Sequence, residues 1–399
     1  MQIKAQDYKA LVIGNLGKLF SNDYFPYRAF VLKTVARLEK LIEEASQSAT
    51  VLEEPLEKDL WGFDFFWPDV QDYFGTVEKL YAALHELHQK IAAIKERFRS
   101  QAEIFPPSTI VPNLDHGISS SYFLIDEKGE RRYVVKPVDE DAGCINNDHG
   151  FATPYDVSPI RAYLPLYKSA MREVLAYRMA VHLGVAQIVP KTSLAILKSD
   201  QFHDFLEGVS AEERKRYLEL CGEPDLEKLC SIQEYVPNAK SLFEALQDFQ
   251  MAGLTDAEIA ARFDQTDFED ANILLWTTYD TDGHMGNFLV VPKGTDAIGN
   301  QMLGLKKIDN GLAFPDKNVQ LRNNLAYMPN AQRPLSEQAK AKIAEIDVDR
   351  LAKEFEAMGL ETAIPALYER MAALKNLAKE PGITIKQINK IMTKIGKKP

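Results

Sequence analysis

The chain of 399 residues is 46% hydrophobic and 26% charged, which is typical of a soluble globular protein with more than one domain and excludes a fibrous or disordered chain. A formal net charge of −11 argues against nucleic acid as a general partner. The three cysteines are too few and too scattered for a disulfide framework or a thiolate zinc site, which indicates a reducing compartment.

No segment of the sequence is predicted to cross a membrane as a helix. The N-terminal segment lacks the continuous apolar core of a secretory signal, and no stretch approaches ~18 consecutive apolar residues. We therefore expect a cytoplasmic or peripheral membrane protein. Export by a non-classical secretion system, which needs no such signal, stays open.

Residues 1–105 are predicted to form a helical extension without chemistry of its own. From Phe74 to Phe98, apolar residues recur at three- and four-residue steps, as on one face of a long helix. Residues 30–41 show a shorter stripe of the same kind. The aromatic segment 61–68 is predicted to pack under a helical hairpin, and an interaction or membrane-docking patch is the alternative.

Residues 115–125 and 132–137 are predicted to form two strands joined by a turn. The first strand begins with small residues whose backbone N–H groups can approach phosphates. These residues are Gly117, Ser119, Ser120 and Ser121. The second strand ends at Lys136, an unusual residue for a buried strand, and binding to phosphate groups would explain it. An edge-strand lysine that reaches solvent is the alternative.

Residues 171–184 are predicted to form an amphipathic helix that ends at Gly184. Glu173 lies in its first turn and is a candidate ion-pair partner for Lys136. A carboxylate that only complements the helix dipole, worth about 0.3–1 kcal/mol, is the alternative.

Two further strands are predicted, over residues 189–197 and 230–237, with the polar segment 198–228 between them as an inserted helical loop. The second strand leads into a predicted hinge, where backbone groups would hydrogen-bond a nucleotide base. The hinge residues are Gln233, Glu234, Tyr235 and Val236.

Two short acidic motifs follow, and we interpret them as a phosphoryl-transfer site. Asp282 and Asn287 stand five residues apart, the separation between the acceptor-positioning Asp and the metal-binding Asn of kinase catalytic loops. Residues 287–292 and 302–308 are predicted to form a hairpin that brings Asp309 opposite Asp282. Ordinary turns are the alternative, since Asp, Asn and Gly dominate turns as well.

The segment 383–399 is predicted to form a basic amphipathic helix. Four apolar residues fall on one side, and the lysines fall elsewhere; the four are Ile388, Ile391, Met392 and Ile395. A terminal helix packed on the preceding domain is favoured over an anchor to anionic lipid or a site for an inositol phosphate.

Taken in order, these motifs resemble the phosphatidylinositol 3-/4-kinase superfamily, most closely type II phosphatidylinositol 4-kinases and their bacterial relatives. The resemblance covers roughly residues 110–345. Its most specific piece is the sequence IDNGLAFP at residues 308–315, supported by the segment 327–336. Several motifs in the right order are much harder to obtain by chance than any one of them.

The resemblance implies an α+β, bilobal protein-kinase-like fold with an N-lobe at residues 106–237 and a C-lobe at residues 238–399. It implies ATP with Mg²⁺ or Mn²⁺, with Lys136 on the phosphates and Asp282 in the catalytic-base position. Asn287 and Asp309 would be the metal ligands. His284 would contact the transferring phosphate or assist as a base, and orientation of the loop by hydrogen bonds is the alternative.

Three departures from the family pattern bear on the acceptor. Gly283 stands where the family usually has Arg, the phosphate-binding turn at residues 116–121 is poor in glycine, and the cysteine-rich palmitoylation run is missing. We expect a kinase that phosphorylates a phosphoinositide headgroup. The alternatives are an atypical protein Ser/Thr kinase, for example a secreted bacterial effector that needs an activator, and a nucleotide-binding pseudokinase.

Overall fold

The computed structural model describes most of the chain after residue 88. The described residues are 89–105, 109–113, 119–141, 144, 146–147, 163–165, 167–203, 211, 215, 218–219, 227–295, 299–318 and 320–395. The helical stripe at residues 30–41, the aromatic segment 61–68 and most of the stripe that ends at Phe98 lie outside them. Residues 89–98 are helical, as predicted for the end of that stripe.

Helices and two sheets give the chain the α+β class that was predicted. The strands are β1 Thr109–Pro112, β2 Tyr122–Ile125, β3 Arg131–Pro137, β4 Thr192–Lys198, β5 Glu227–Glu234, β6 Lys240–Ser241, β7 Phe288–Thr295 and β8 Gln301–Lys307. The α-helices are α1 Ser169–His182, α2 Leu242–Met251, α3 Asp256–Arg262, α4 Gln265–Thr278, α5 Glu337–Glu345, α6 Val348–Ala357, α7 Ile364–Leu377 and α8 Ile385–Met392. None of the helices in this part of the chain is long and apolar enough to cross a bilayer.

The chain divides into two compact units, which we describe separately. The described residues of unit 1 lie within Met1–Ala170 and Ser193–Ile232, and those of unit 2 lie within Met171–Thr192 and Gln233–Pro399. The domain limits at residues 105 and 237 remain predictions.

Unit 1 is built on a five-stranded sheet in the order β1-β2-β3-β5-β4, in which β1–β2 and β2–β3 are antiparallel pairs. The predicted strand–turn–strand is confirmed as β2 and β3, but β2 begins at Tyr122, so Ser119, Ser120 and Ser121 precede the strand and do not belong to it as predicted. Asp126 fixes its turn, because Asp126 Oδ1 accepts hydrogen bonds from the N–H groups of Lys128 and Glu130. The core on this sheet contains Ile110, Tyr122, Leu124, Val135, Ala195, Phe202, Cys230 and Ile232. Most of the predicted insertion at residues 198–228 lies outside the described residues.

Unit 2 is organised around α4, which is buried along most of its length. Asp264 caps its N-terminus, and Tyr279 ends it in a left-handed conformation with φ of 50°. A small antiparallel sheet in the order β6-β7-β8 packs against α4, so that the predicted hairpin is confirmed as β7 and β8.

The predicted C-terminal helix is confirmed as α8, which packs on unit 2. Ile385, Ile388 and Met392 are buried, at the spacing of one helix face, whereas Ile391, predicted on the same side, is exposed. Thr384 and Gln387 form a capping box at its start. The side chains of Lys386, Lys390 and Lys394 are exposed, and residues 396–399 lie outside the described residues.

Candidate active site

The β7–β8 hairpin brings the two acidic motifs side by side. Phe288 pairs with Lys307 across the strands, and the N–H of Ile308 donates to the carbonyl of Asn287 at 3.0 Å. Asn287 therefore precedes one strand at the same end of the hairpin where Asp309 follows the other. This is the arrangement predicted from the two apolar runs.

A buried ion pair behind the hairpin connects the two motifs. Lys307 Nζ lies 2.7 Å from Asp280 Oδ2, and their side chains are 1% and 0% exposed. Lys307 also donates to the carbonyls of Ile308 and Asp309, at 2.7 and 3.0 Å. Asp280 Oδ1 accepts from the N–H of Asp282 at 2.8 Å. One ion pair thus fixes the backbone of both loops.

The Asp282 carboxylate is held from both sides within unit 2. Arg322 Nη1 lies 2.9 Å from its Oδ1. Asn287 Nδ2 donates to the Asp282 carbonyl at 2.9 Å and lies 3.5 Å from Oδ2. Burial raises the pKa of Asp282 and the charges of Asp280 and Asp309 add to the rise, while His284 and Arg322 oppose it.

His284 is hydrogen-bonded within its own loop. Its Nδ1 accepts from the N–H of Gly286 at 3.0 Å, so the neutral imidazole carries its proton on Nε2. Nε2 faces Asp282 Oδ2 at 3.6 Å. The geometry favours the loop-orienting interpretation of His284, and the role in phosphate contact stays a prediction.

Glu173 supports the segment that carries Asp309. Its Oε2 accepts from the N–H of Asn310 at 2.8 Å, and both side chains are buried. Asp309 itself has a φ of 55°, a left-handed conformation that costs energy for a residue with a Cβ. Because Lys136 belongs to unit 1 and Glu173 to unit 2, their ion pair stays a prediction.

Gly283 is required by the close approach of the segment around Arg322. A Cβ at this position would overlap the Arg322 carbonyl oxygen and lie 3.2 Å from Leu275 Cδ2. Gly283 also forms a bridge with Asn323, and its carbonyl accepts from the N–H of Asn324. The arginine that the family usually has at this position would find no room here. Arg322 brings a guanidinium group to Asp282 instead.

Replacing Gly283 with alanine is therefore expected to destabilise the protein by about 1–3 kcal/mol, the usual cost of overpacking against a backbone that cannot move freely. Urea denaturation measures the change. A stability equal to that of the wild type would show that the chain around Arg322 shifts without cost.

The predicted phosphate-binding serines of unit 1 are held by the acidic segment 139–141. The Ser119 hydroxyl donates to Asp141 Oδ1, and the Ser120 N–H donates to the Glu140 carbonyl at 3.1 Å. Ser121 accepts from the backbone and side-chain amides of Asn113. The Ser120 N–H is thus engaged within the protein, although we expected such groups to face phosphate. Gly117 lies outside the described residues.

The other predicted nucleotide contacts occupy the strands and the segment where they were expected. Lys136 is half-buried on β3. Gln233 and Glu234 end β5, and the half-buried Tyr235 and Val236 follow. Glu234 is fixed in unit 2, because its N–H donates to the carbonyl of Lys191 at 2.9 Å.

No family model matches the chain, but several proteins of known name are similar to it. It is 27% identical over 237 residues to phosphatidylinositol 4-kinase gamma 6 of Arabidopsis thaliana, covering 58% of this chain and 34% of the relative. It is 26% identical over 288 residues to gamma 7 of the same plant, covering 70% and 40%. It is 25% identical over 243 residues to gamma 4 of Oryza sativa subsp. japonica, covering 59% and 36%.

The chain is similar to phosphatidylinositol 4-kinases. The resemblance predicted from the motifs is thereby confirmed at the level of a kinase-like family. The chain spans about 34% to 41% of the length of these relatives.

Asn287 and Asp309 have the oxygen ligand types that Mg²⁺ prefers, and their role as metal ligands stays a prediction. No three His, Cys, Asp or Glu side chains lie close enough to hold a metal within the part of the chain that the structure describes. Mg²⁺ in kinases is usually bound through one or two protein ligands plus phosphate oxygens and water. Asn287 Nδ2 is directed at Asp282, so the amide oxygen of Asn287 is the atom that would bind a cation, and the carboxylate of Asp309 would be the second protein ligand.

Sequence reasoning missed three residues of this site: Asp280, Lys307 and Arg322. Lys307 carried a signal, since a lysine at the end of an apolar strand needs a buried partner. Asp280 lies two residues before Asp282 and was the nearest candidate for that partner. Arg322 gave no local signal, because it meets Asp282 across 40 residues of sequence.

Proposed function

We propose that the protein is an ATP-dependent phosphotransferase that moves the γ-phosphate of ATP to a hydroxyl group. The observation that carries the proposal is the convergence of Asp282, Asn287 and Asp309 at one end of a hairpin, fixed by the buried Lys307. We propose with it the bilobal protein-kinase-like fold, in which Lys136 contacts the phosphates. The similarity to proteins named as phosphatidylinositol 4-kinases supports both.

In this proposal Asp282 acts on the acceptor hydroxyl. While the hydroxyl oxygen bonds to the γ-phosphorus, the bond to the β–γ bridging oxygen breaks, ADP leaves, and the Asp282 carboxylate takes the hydroxyl proton. Arg322 and Asn287 hold that carboxylate in one orientation. Mg²⁺, held by Asn287 and Asp309 when bound, supplies positive charge to the phosphate oxygens.

The acceptor that we propose is the headgroup of a phosphoinositide. The relatives are named as phosphatidylinositol 4-kinases, which supports it. Lys386 and Lys390 lie one helical turn apart on α8, and Lys394 follows in the turn after its end; all three are exposed, which suits a peripheral contact with anionic lipid. A protein hydroxyl is the competing acceptor.

The test is radiolabelled ATP with Mg²⁺ or Mn²⁺, offered in parallel to phosphatidylinositol vesicles and to generic proteins. We expect label in the lipid, and no label with the Asp309→Ala variant or with excess EDTA. Label in a protein, including the enzyme itself, would show that the acceptor is a protein and not a lipid. Binding of ATP without transfer to either would identify a nucleotide-binding regulator. Transfer by Asp309→Ala at the wild-type rate would overturn the assignment of the metal site.

A further inference from the structure

Lys306 on β8 carries a half-buried ammonium group. Within the part of the chain that the structure describes, its Nζ makes no hydrogen bond or ion pair, and the charges of Asp267 and Glu234 act on it from a greater distance. Two other lysines of the hairpin differ, since Lys307 is paired with Asp280 and Lys293 with Asp264 and Asp267. Burial lowers the pKa of Lys306. A desolvated ammonium that lacks a partner is costly, which points to a ligand that supplies acceptors.

The register of the hairpin places Lys306 on its open face. Lys306 pairs with Leu289, and side chains alternate between the two faces of a strand. Phe288 and Leu305 point to the other face and are buried in unit 2. Leu289, Lys306 and the following Ile308 are only half-buried. Apolar side chains around one ammonium form the kind of surface on which an amphipathic ligand binds.

Two features of unit 2 show which part of a ligand would meet Lys306. Asn287 and Asp309, the proposed phosphate and metal end, lie at one end of the hairpin. Glu234, in the predicted hinge for the base, is near enough to act electrostatically on Lys306. Lys306 stands three residues before Asp309, about 10 Å along an extended strand, so it lies towards the base and not at the terminal phosphate.

We propose that Lys306 donates hydrogen bonds to the nucleoside part of the bound nucleotide. An ammonium carries three donors and no acceptor, which matches the ribose oxygens and the ring nitrogens of a purine. The half-buried Leu289 and Ile308 on the same face offer apolar contact to the base. This inference rests on the proposed function, because it requires that the chain binds a nucleotide along this hairpin.

The experiment is calorimetric binding of adenosine, ADP and ATP to the full chain, comparing wild type, Lys306→Met and Lys306→Arg. Lys306→Met is expected to lower the affinity for all three ligands by a similar factor of about 10 to 100, which is the usual effect of losing a hydrogen bond from a charged donor. Lys306→Arg keeps the charge and is expected to retain part of the affinity. Lys353→Met, which removes an exposed lysine on α6, is the matched control and should bind as the wild type does.

A second measurement uses only the wild type and so does not depend on folding of a variant. The lowered pKa of Lys306 leaves more neutral amine at pH 8, and adenosine is expected to protect that amine from acetylation, read by mass spectrometry. Unchanged acetylation at saturating adenosine would overturn the proposal. So would a loss of affinity confined to ADP and ATP, which would assign Lys306 to a phosphate. Wild-type protein that binds none of the three ligands would overturn the proposed function itself.

Discussion

The Asp282→Asn variant is expected to transfer phosphate roughly a thousandfold more slowly than the wild type, within the range that a general base contributes. Asparagine keeps the shape of the side chain and can still accept the hydrogen bond from Arg322, but it cannot take the proton of the acceptor hydroxyl. Initial rates at saturating ATP measure the loss as a change in kcat.

Folding stability separates this catalytic role from a structural one. Burial and the nearby charges of Asp280 and Asp309 raise the pKa of Asp282, so the ionised carboxylate that acts as the base contributes nothing favourable to the free energy of folding. Removal of the charge is therefore expected to leave the free energy of unfolding unchanged or to increase it. Asp248→Asn, which removes an exposed carboxylate, should keep the wild-type rate. An Asp282→Asn enzyme with wild-type kcat would exclude Asp282 as the base.

The parts of the site that the sequence predicted are those set by neighbours along the chain. Asp282 and Asn287 lie in one loop, and Asp309 follows a strand whose partner is the next strand along the chain. Alternation of apolar residues and the positions of turns determine such a hairpin locally. The packed face of α8 was predictable for the same reason, because the apolar residues recur at helical spacing within eight consecutive residues.

The parts that were not predicted depend on pairs far apart in sequence. Arg322 reaches Asp282, and Lys228 reaches Glu140 across 88 residues. In sequence, the acidic run at residues 139–141 gave no sign that it would be buried, whereas the structure uses it to hold the serines of unit 1. The hydrogen bond from the Ser120 N–H to the Glu140 carbonyl is a result of that packing. A local pattern cannot specify such long-range pairs, because each partner alone is compatible with a solvent-exposed position.

The buried cluster around Glu140 in unit 1 has one more acid than base. Lys228 Nζ lies 2.7 Å from Glu140 Oε1 and 3.1 Å from Asp139 Oδ2, with all three side chains less than 10% exposed. The Tyr122 hydroxyl and the His203 N–H also donate to Glu140. Burial raises the pKa of Glu140 to about 7, while Asp139 and Glu140 raise the pKa of Lys228 against the effect of burial.

The raised pKa of Glu140 predicts a stability that falls with pH. The pKa of Glu140 is about 7 in the folded chain, and 4.5 is the reference value for the unfolded chain. At a pH between these two values, the carboxyl group takes up a proton when the chain folds. The stability that this proton uptake contributes is fully present below pH 4.5 and is lost as the pH rises to 7. The free energy of unfolding therefore falls by about 3 kcal/mol over this range. Glu140→Gln resembles the protonated form and should remove this component of the pH dependence. A slope between pH 5 and 8 equal to that of the wild type would show that Glu140 does not titrate there.

Lys228→Met is expected to destabilise the chain by about 3–5 kcal/mol at pH 7, because it leaves Asp139 and Glu140 buried without their cation. Urea denaturation at pH 5 and pH 8 measures the effect, which should be larger at pH 8, because the pKa of Glu140 is about 7 and Lys228 stabilises its ionised form. The double variant Lys228→Met with Glu140→Gln should recover part of the loss, since only one uncompensated carboxylate remains. A single Lys228→Met variant as stable as the wild type would mean that water reaches the cluster and that the ion pair contributes little to folding.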